Sequence, residues 1–172
     1  MTRTPRYDVR PATLADLELL RRWQSEPHVR AWWDDEDPYD DEDVADPRVN
    51  RWIVSLGHQP FAYMQDYAVH GWDGHPFDHL PAGSRGIDQF IGLPDMIGRG
   101  LGTAFIRQRL RALFDLGVPV VATDPHPDNT RAIRAYERVG FRVAGRASDT
   151  DWGRILPMEA RPTMMGEDLP WR

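Results

Sequence analysis

Three glycines at alternate positions, Gly98, Gly100 and Gly102 in MIGRGLGTAFIRQRL, stand between the strand pattern GIDQFIG and a helical one. That order makes an anion site. The first N–H groups of a helix have no partner within it, and the helix dipole draws negative charge to its N-terminus. Glycine lets the backbone curl and approach a pyrophosphate with no Cβ in the way, and Arg99 adds a cation to the same cradle. Two other phosphate loops are excluded. The glycines do not follow the G-x-G-x-x-G spacing after a first strand, and all 21 basic residues are arginine, so a P-loop lysine is lacking. Schiff-base chemistry is excluded with it, and the absence of cysteine removes thiol nucleophiles and thiolate metal sites.

Two further residues are placed for proton chemistry. Asp88 lies inside GIDQFIG, although strands disfavour aspartate and a buried carboxylate needs a partner. A cationic acceptor amine is one such partner and a neighbouring arginine is another. Tyr136 is a lone phenol among arginines in NTRAIRAYERVGF, two helical turns beyond the expected N-cap Asn129. His58, His70, His75, His79 and His126 are scattered without metal-ligand spacing, and no metal is expected.

The elements that must position these residues alternate between strand and helix. YDVRPAT reads as a strand, with Thr13 as N-cap of a helix to about Glu26 whose apolar positions are Leu14, Leu17, Leu20 and Trp23. Residues 27–48 read as a loop with a broken helical turn, interrupted at Pro38 and Pro47. RWIVSLGHQPFAYMQDYAV reads as two strands joined at Gly-His-Gln, and HGWDGHPFDHLPAGSR as a long Gly/Pro-rich loop. The glycine loop feeds a helix from Gly100 to Leu116 with Gly117 as its C-cap. VPVVATD is an apolar strand, NTRAIRAYERVG a helix, and FRVAGRA and ILPMEARP the last two strands.

At 172 residues and 41% hydrophobic, the chain is expected to form a single domain over residues 1–162, with 163–172 as a tail. It shows no signal-peptide pattern and no apolar run long enough for a bilayer, so a cytoplasmic protein is expected. Residues 34–46, DDEDPYDDEDVAD, hold nine acids and no base; taking them from the net charge of −6 leaves +3. An acidic block repels nucleic acid and attracts polycations.

The stretch from Arg85 to Phe141 resembles the GNAT superfamily of acetyl-CoA-dependent N-acetyltransferases. IGRGLG matches that family's glycine loop, with Ile97 where Gln or Arg is usual, and NTRAIRAYERVGF matches its Asn-x-x-Ala-x-x-x-Tyr-x-x-x-Gly-Phe pattern. Within the superfamily, WW after HVRA, then YMQDY, RGIDQ, IGRGLGT and TDPHPDNTRAIRAYERVGF resemble the aminoglycoside 6′-N-acetyltransferases in order and spacing.

The resemblance implies an α/β fold with a mixed, mostly antiparallel central sheet, splayed at the acetyl-CoA site and flanked by helices. It implies that Ile97, Gly98, Arg99, Gly100, Leu101, Gly102 and Thr103 hold the coenzyme's diphosphate, and that Gln89, Phe90 and Ile91 pair with its pantetheine arm. Asn129 and Ala132 would flank that arm, Tyr136 would donate a proton to the leaving thiolate, and Asp88 would act as base beside the acceptor amine, directly or through water. Trp33, Gln65, Trp72, Asp73 and Asp124, with Asp88, would line the aminoglycoside pocket. Direct transfer in a ternary complex is expected, with no nucleic-acid or membrane partner, by a monomer or homodimer. The alternatives are another amine acceptor (a polyamine, a siderophore precursor or a protein N-terminus) and a non-catalytic acyl-CoA or cation sensor.

Overall fold

The computed structural model describes residues 7–33 and 38–164. Asp34, Asp35, Glu36 and Asp37, four of the nine acids in the expected polycation-attracting run, and the end of the expected tail lie outside these residues. The chain forms two compact units: residues up to Asp66 together with Asp88–Phe105, and Tyr67–Ile87 together with the residues from Ile106 onward.

In the first unit, β1 (Tyr7–Pro11) pairs antiparallel with β2 (Val49–Leu56), from Tyr7 opposite Leu56 to Pro11 opposite Trp52. Gly57, at φ 61°, turns the chain from β2 into β3 (Gln59–Ala68), a left-handed position where glycine carries no Cβ penalty. β4 (Arg85–Ile91) follows β3 in the sheet, so the order here is β1-β2-β3-β4. The helices are α1 (Leu17–Gln24), the short α2 (Pro27–Arg30) and α3 (Asp41–Ala45), and the start of α4 (Leu101–Asp115).

The expected first helix opens on a 3-10 turn, Leu14–Asp16, and Leu14 is exposed rather than on the apolar face. The turn is set by Asp16, whose carboxylate takes both Arg10 Nη1 (2.8 Å) and Nη2 (2.7 Å) and the Thr13 amide (2.8 Å). The Arg10 hydrogen bonds hold the Asp16 pKa below the ordinary carboxylate value, against its burial. A depressed carboxylate contributes stability above its unfolded pKa and loses it as pH falls through the folded one. Asp16→Ala is therefore expected to lower the unfolding free energy by about 1–2 kcal/mol at neutral pH, discounted for the half-exposed Arg10. Urea denaturation should show that gap closing below the ordinary aspartate range.

Leu20, Trp23, Tyr39, Ile53 and Tyr63 form the core against which Leu17, Trp33 and Phe90 pack. β4 ends at this core. The Gly92 amide donates to Phe61 O at 2.8 Å, and a Cβ at Gly92 would stand 2.2 Å from the Trp23 indole. Only glycine lets the chain after β4 lie this close to α1.

The second unit carries β5 (Val121–Thr123), α5 (Thr130–Arg138), β6 (Arg142–Val143), β7 (Ser148–Thr150), β8 (Gly153–Ile155) and β9 (Met158–Ala160). The start of β4 pairs parallel with β5, Arg85 opposite Val121 and Gly86 opposite Ala122. β9 then lies antiparallel to both β5 and β6. The fold is the expected mixed, mostly antiparallel sheet with flanking helices.

Two differences from the sequence pattern have physical causes. VPVVATD, apolar up to Ala122, contributes only three strand residues, between Pro119 and Pro125, which have no N–H to give a ladder. The β7–β8 hairpin is absent from the sequence expectation because Ser, Asp and Gly disfavour strands. It is closed by its turn: Thr150 Oγ1 donates to Gly153 O (2.9 Å) and accepts from the Trp152 amide (3.1 Å), with Gly153 at φ 97°.

Candidate active site

The glycine loop is a cradle at a helix N-terminus. Gly98 and Gly100 both sit at φ 75°, in the left-handed region that favours glycine, and α4 begins at Leu101. Thr103 Oγ1 donates to Gly100 O (2.8 Å) and closes the first turn, while Arg99 reaches back to Met96 Sδ (3.3 Å). Ile97 leads in with extended backbone and a half-buried side chain. Gly102 differs from the other two: it needs no positive φ, and a Cβ there would meet only Ile91 Cδ1, at 3.8 Å. What it supplies is open room over the helix end. These features fit a diphosphate, which the loop would hold through backbone amides without lysine.

Gln89, Phe90 and Ile91 are half-buried on β4. Phe90 packs edge-on to Trp33 (4.9 Å) and stacks on Tyr63 (5.2 Å). Trp33 is thereby a wall of the aromatic core as much as a candidate ligand face. His28 was not singled out from the sequence, yet its Nε2 lies 2.7 Å from Ile91 O. Since a carbonyl can only accept, His28 Nε2 carries the proton and fixes the end of the strand.

Asp88 is half-buried, and its Oδ2 accepts from Gln65 Nε2 at 3.0 Å. Gln65 Oε1 in turn accepts from the Tyr63 hydroxyl at 2.9 Å. Burial pushes the Tyr63 phenol well up, against hydrogen bonds from Tyr39 and Arg51 that pull it down; burial also raises Tyr39. Both phenols are therefore neutral donors at physiological pH. The sequence expectation paired Asp88 and Gln65 only as pocket residues, whereas the structure joins them directly. Tyr39 and Arg51 were missed because they are distant from Tyr63 along the chain, whereas Tyr63, two residues before Gln65 on β3, was within reach of the alternating strand pattern.

In the second unit, Asn129 caps α5 as expected, its Oδ1 accepting from the Ala132 amide at 3.2 Å. Ala132 is half-buried one turn in, and Tyr136 is buried with its ring 5.2 Å from Phe141. Asp124 follows β5 half-buried, and the adjacent Thr123 Oγ1 is buried without a hydrogen-bond partner among the described residues. Trp72 packs edge-on to Tyr67 (5.5 Å), and Asp73 beside it is exposed. His75 is buried between Tyr67, Phe77 and Trp152, and burial lowers its pKa, so the ring is neutral. A cavity of about 480 Å³ lies here, lined among others by His79, Asp149, Asp151, Trp152 and Glu159. Those residues were not legible as a site because the β7–β8 hairpin was not.

The glycine loop before α4 and, separately, the Asn129-capped α5 are the two segments in which the sequence resembles the GNAT superfamily. The match to the acetyltransferase (GNAT) domain family spans residues 12–148, and the chain belongs to that family. It is an acetyltransferase that uses acetyl-CoA as donor. It is 33% identical over 165 residues to aminoglycoside N(6′)-acetyltransferase type 1 of Klebsiella pneumoniae, covering 89% of this chain and 82% of that one. The solved structure of AAC(6′)-Ib with paromomycin and acetyl-CoA matches with a TM-score of 0.83 at 32% identity, over 94% of this chain and 97% of that one. AAC(6′)-Ib with coenzyme A and kanamycin matches with a TM-score of 0.82 at 33% identity, over 92% and 96%.

Proposed function

We propose that the acceptor is the 6′-amine of an aminoglycoside and that the acetyl group passes to it directly, without an acyl-enzyme. The observation that carries the proposal is the carboxylate of Asp88, held on β4 by the Gln65 amide, in a chain one-third identical along most of its length to an aminoglycoside N(6′)-acetyltransferase. An ammonium cannot attack a thioester. As the amine nitrogen bonds to the thioester carbon, its proton passes to Asp88, directly or through one water, and the carbon–sulphur bond breaks. Tyr136 supplies a proton to the departing thiolate. Backbone amides of β4 polarise the carbonyl, and Gly98–Thr103 hold the diphosphate. Asn129 and Ala132 flank the pantetheine arm.

Trp33, Gln65, Trp72, Asp73 and Asp124 are assigned to the acceptor side. Around the cavity, Asp149 is paired with Arg154 (3.2 Å) and Glu159 with Arg161 (3.0 Å), which leaves Asp151 as the lining carboxylate suited to a further amine of a polycation. The test is product analysis from a mixed panel of aminoglycosides, polyamines and peptides. A single added acetyl confined to aminoglycosides and mapped to the 6′ nitrogen is expected. Acetylation of polyamines or peptide N-termini alone would overturn the acceptor assignment.

A further inference from the structure

A primary amide has one accepting end and one donating end, while a carboxylate only accepts. With Asp88 ionised, Gln65 must turn Nε2 toward it and Oε1 away, so whatever stands at Oε1 must donate. The group found there is the hydroxyl of Tyr63, fully buried on the same strand and 2.9 Å from Oε1. A flipped amide would set oxygen against oxygen at Asp88 and leave the phenol facing an amide hydrogen.

From this geometry we infer that Tyr63 is a positioning residue for Asp88, acting through the Gln65 amide; the inference rests on the reading of Asp88 as proton acceptor. The direction of the chain is set from behind. The Tyr63 ring is stacked on Phe90 (5.2 Å) and packed against Tyr39 (5.4 Å), so it cannot swing away. Tyr39 is itself gripped from α1, where Arg21 Nε donates to its carbonyl (2.7 Å) and Gln24 Oε1 accepts from its amide (3.0 Å). The guanidinium of Arg51, on β2, stands 5.9 Å from the Tyr39 ring centre. Among the described residues, the charged and titratable groups around the chain include Arg21, Arg51, Tyr39, Tyr63 and Asp88. The Tyr63 hydroxyl gives its proton to Gln65 Oε1 at 2.9 Å. The consequence is a fixed N–H on Asp88 that favours its charged form and holds its orientation.

The test follows the Asp88 carboxyl by carbon NMR in the wild type, Tyr63→Phe, Gln65→Met and the double variant, with Asp88→Asn assigning the signal. Loss of the fixed donor is expected to raise the Asp88 titration midpoint by about one pH unit in each single variant. The double variant should rise no further than Gln65→Met alone, because Tyr63 acts only through Gln65. Kinetically, kcat/KM should fall about tenfold with its acid limb at higher pH, and KM for acetyl-CoA should stay unchanged. An Asp88 midpoint that does not move in Tyr63→Phe, or effects of the two variants that add in full, would overturn the inference. If Tyr63→Phe does not fold, an unmoved midpoint in Gln65→Met overturns it equally. Wild-type turnover by Asp88→Asn would instead sink the proton-acceptor reading, and would leave the NMR result standing.

Discussion

Asp88→Asn should lower kcat/KM for an aminoglycoside by about 10²–10⁴-fold, the range that a positioned general base contributes. Asparagine keeps the shape of the side chain and can still accept from Gln65 Nε2, so the β3–β4 contact survives. What is lost is the ability to take a proton. Acetyl-CoA affinity, measured by calorimetry, should stay within about twofold, because the proposed diphosphate site is the backbone of Gly98–Thr103 and excludes Asp88. The rate profile of the variant should lose its acid limb. A salt-bridge role for Asp88 makes the opposite forecast: a lowered Tm with the turnover of the folded fraction intact.

Tyr136→Phe should cost about 10²-fold or more in kcat with little change in either KM, since the phenol is proposed to act on a charge that exists only as the thiolate departs. The ring itself is retained, and with it the packing on Phe141 at 5.2 Å. The diagnostic is the dependence on leaving group. With an acetyl donor whose thiol is more acidic than coenzyme A, the departing thiolate needs no proton and the defect should shrink toward unity. A defect of the same size with both donors means that Tyr136 is a packing residue and that the thiolate leaves unassisted.

Periodic or chemically marked segments were readable without coordinates. The apolar spacing of Leu101, Phe105, Leu110 and Leu113 defines α4, and all four are buried. Asn129 was legible because a cap has few acceptable residue types, and its Oδ1 caps as expected. The glycine loop was legible for the same reason, although Gly102 turned out to supply space and not curvature. Other features depend on contacts that no local pattern encodes. Leu14 falls in register with Leu17 but lies outside the core because the helix begins with a 3-10 turn around Asp16. The β7–β8 hairpin has the composition of a loop and is held by the Thr150 hydroxyl. Tyr63 was legible in principle, two residues before Gln65 on β3, but Tyr39 is distant along the chain and no local pattern brings it to that phenol.

The claim that joins these observations is that the acetyl group goes to the 6′ nitrogen of an aminoglycoside. Steady-state acetyl transfer to two acceptors identical except at that position, one with a 6′-amine and the other with a 6′-hydroxyl, tests it most directly. Efficient turnover of the amine and none of the hydroxyl compound is the expected result. Equal rates on both, or transfer to another ring nitrogen of both, would contradict it.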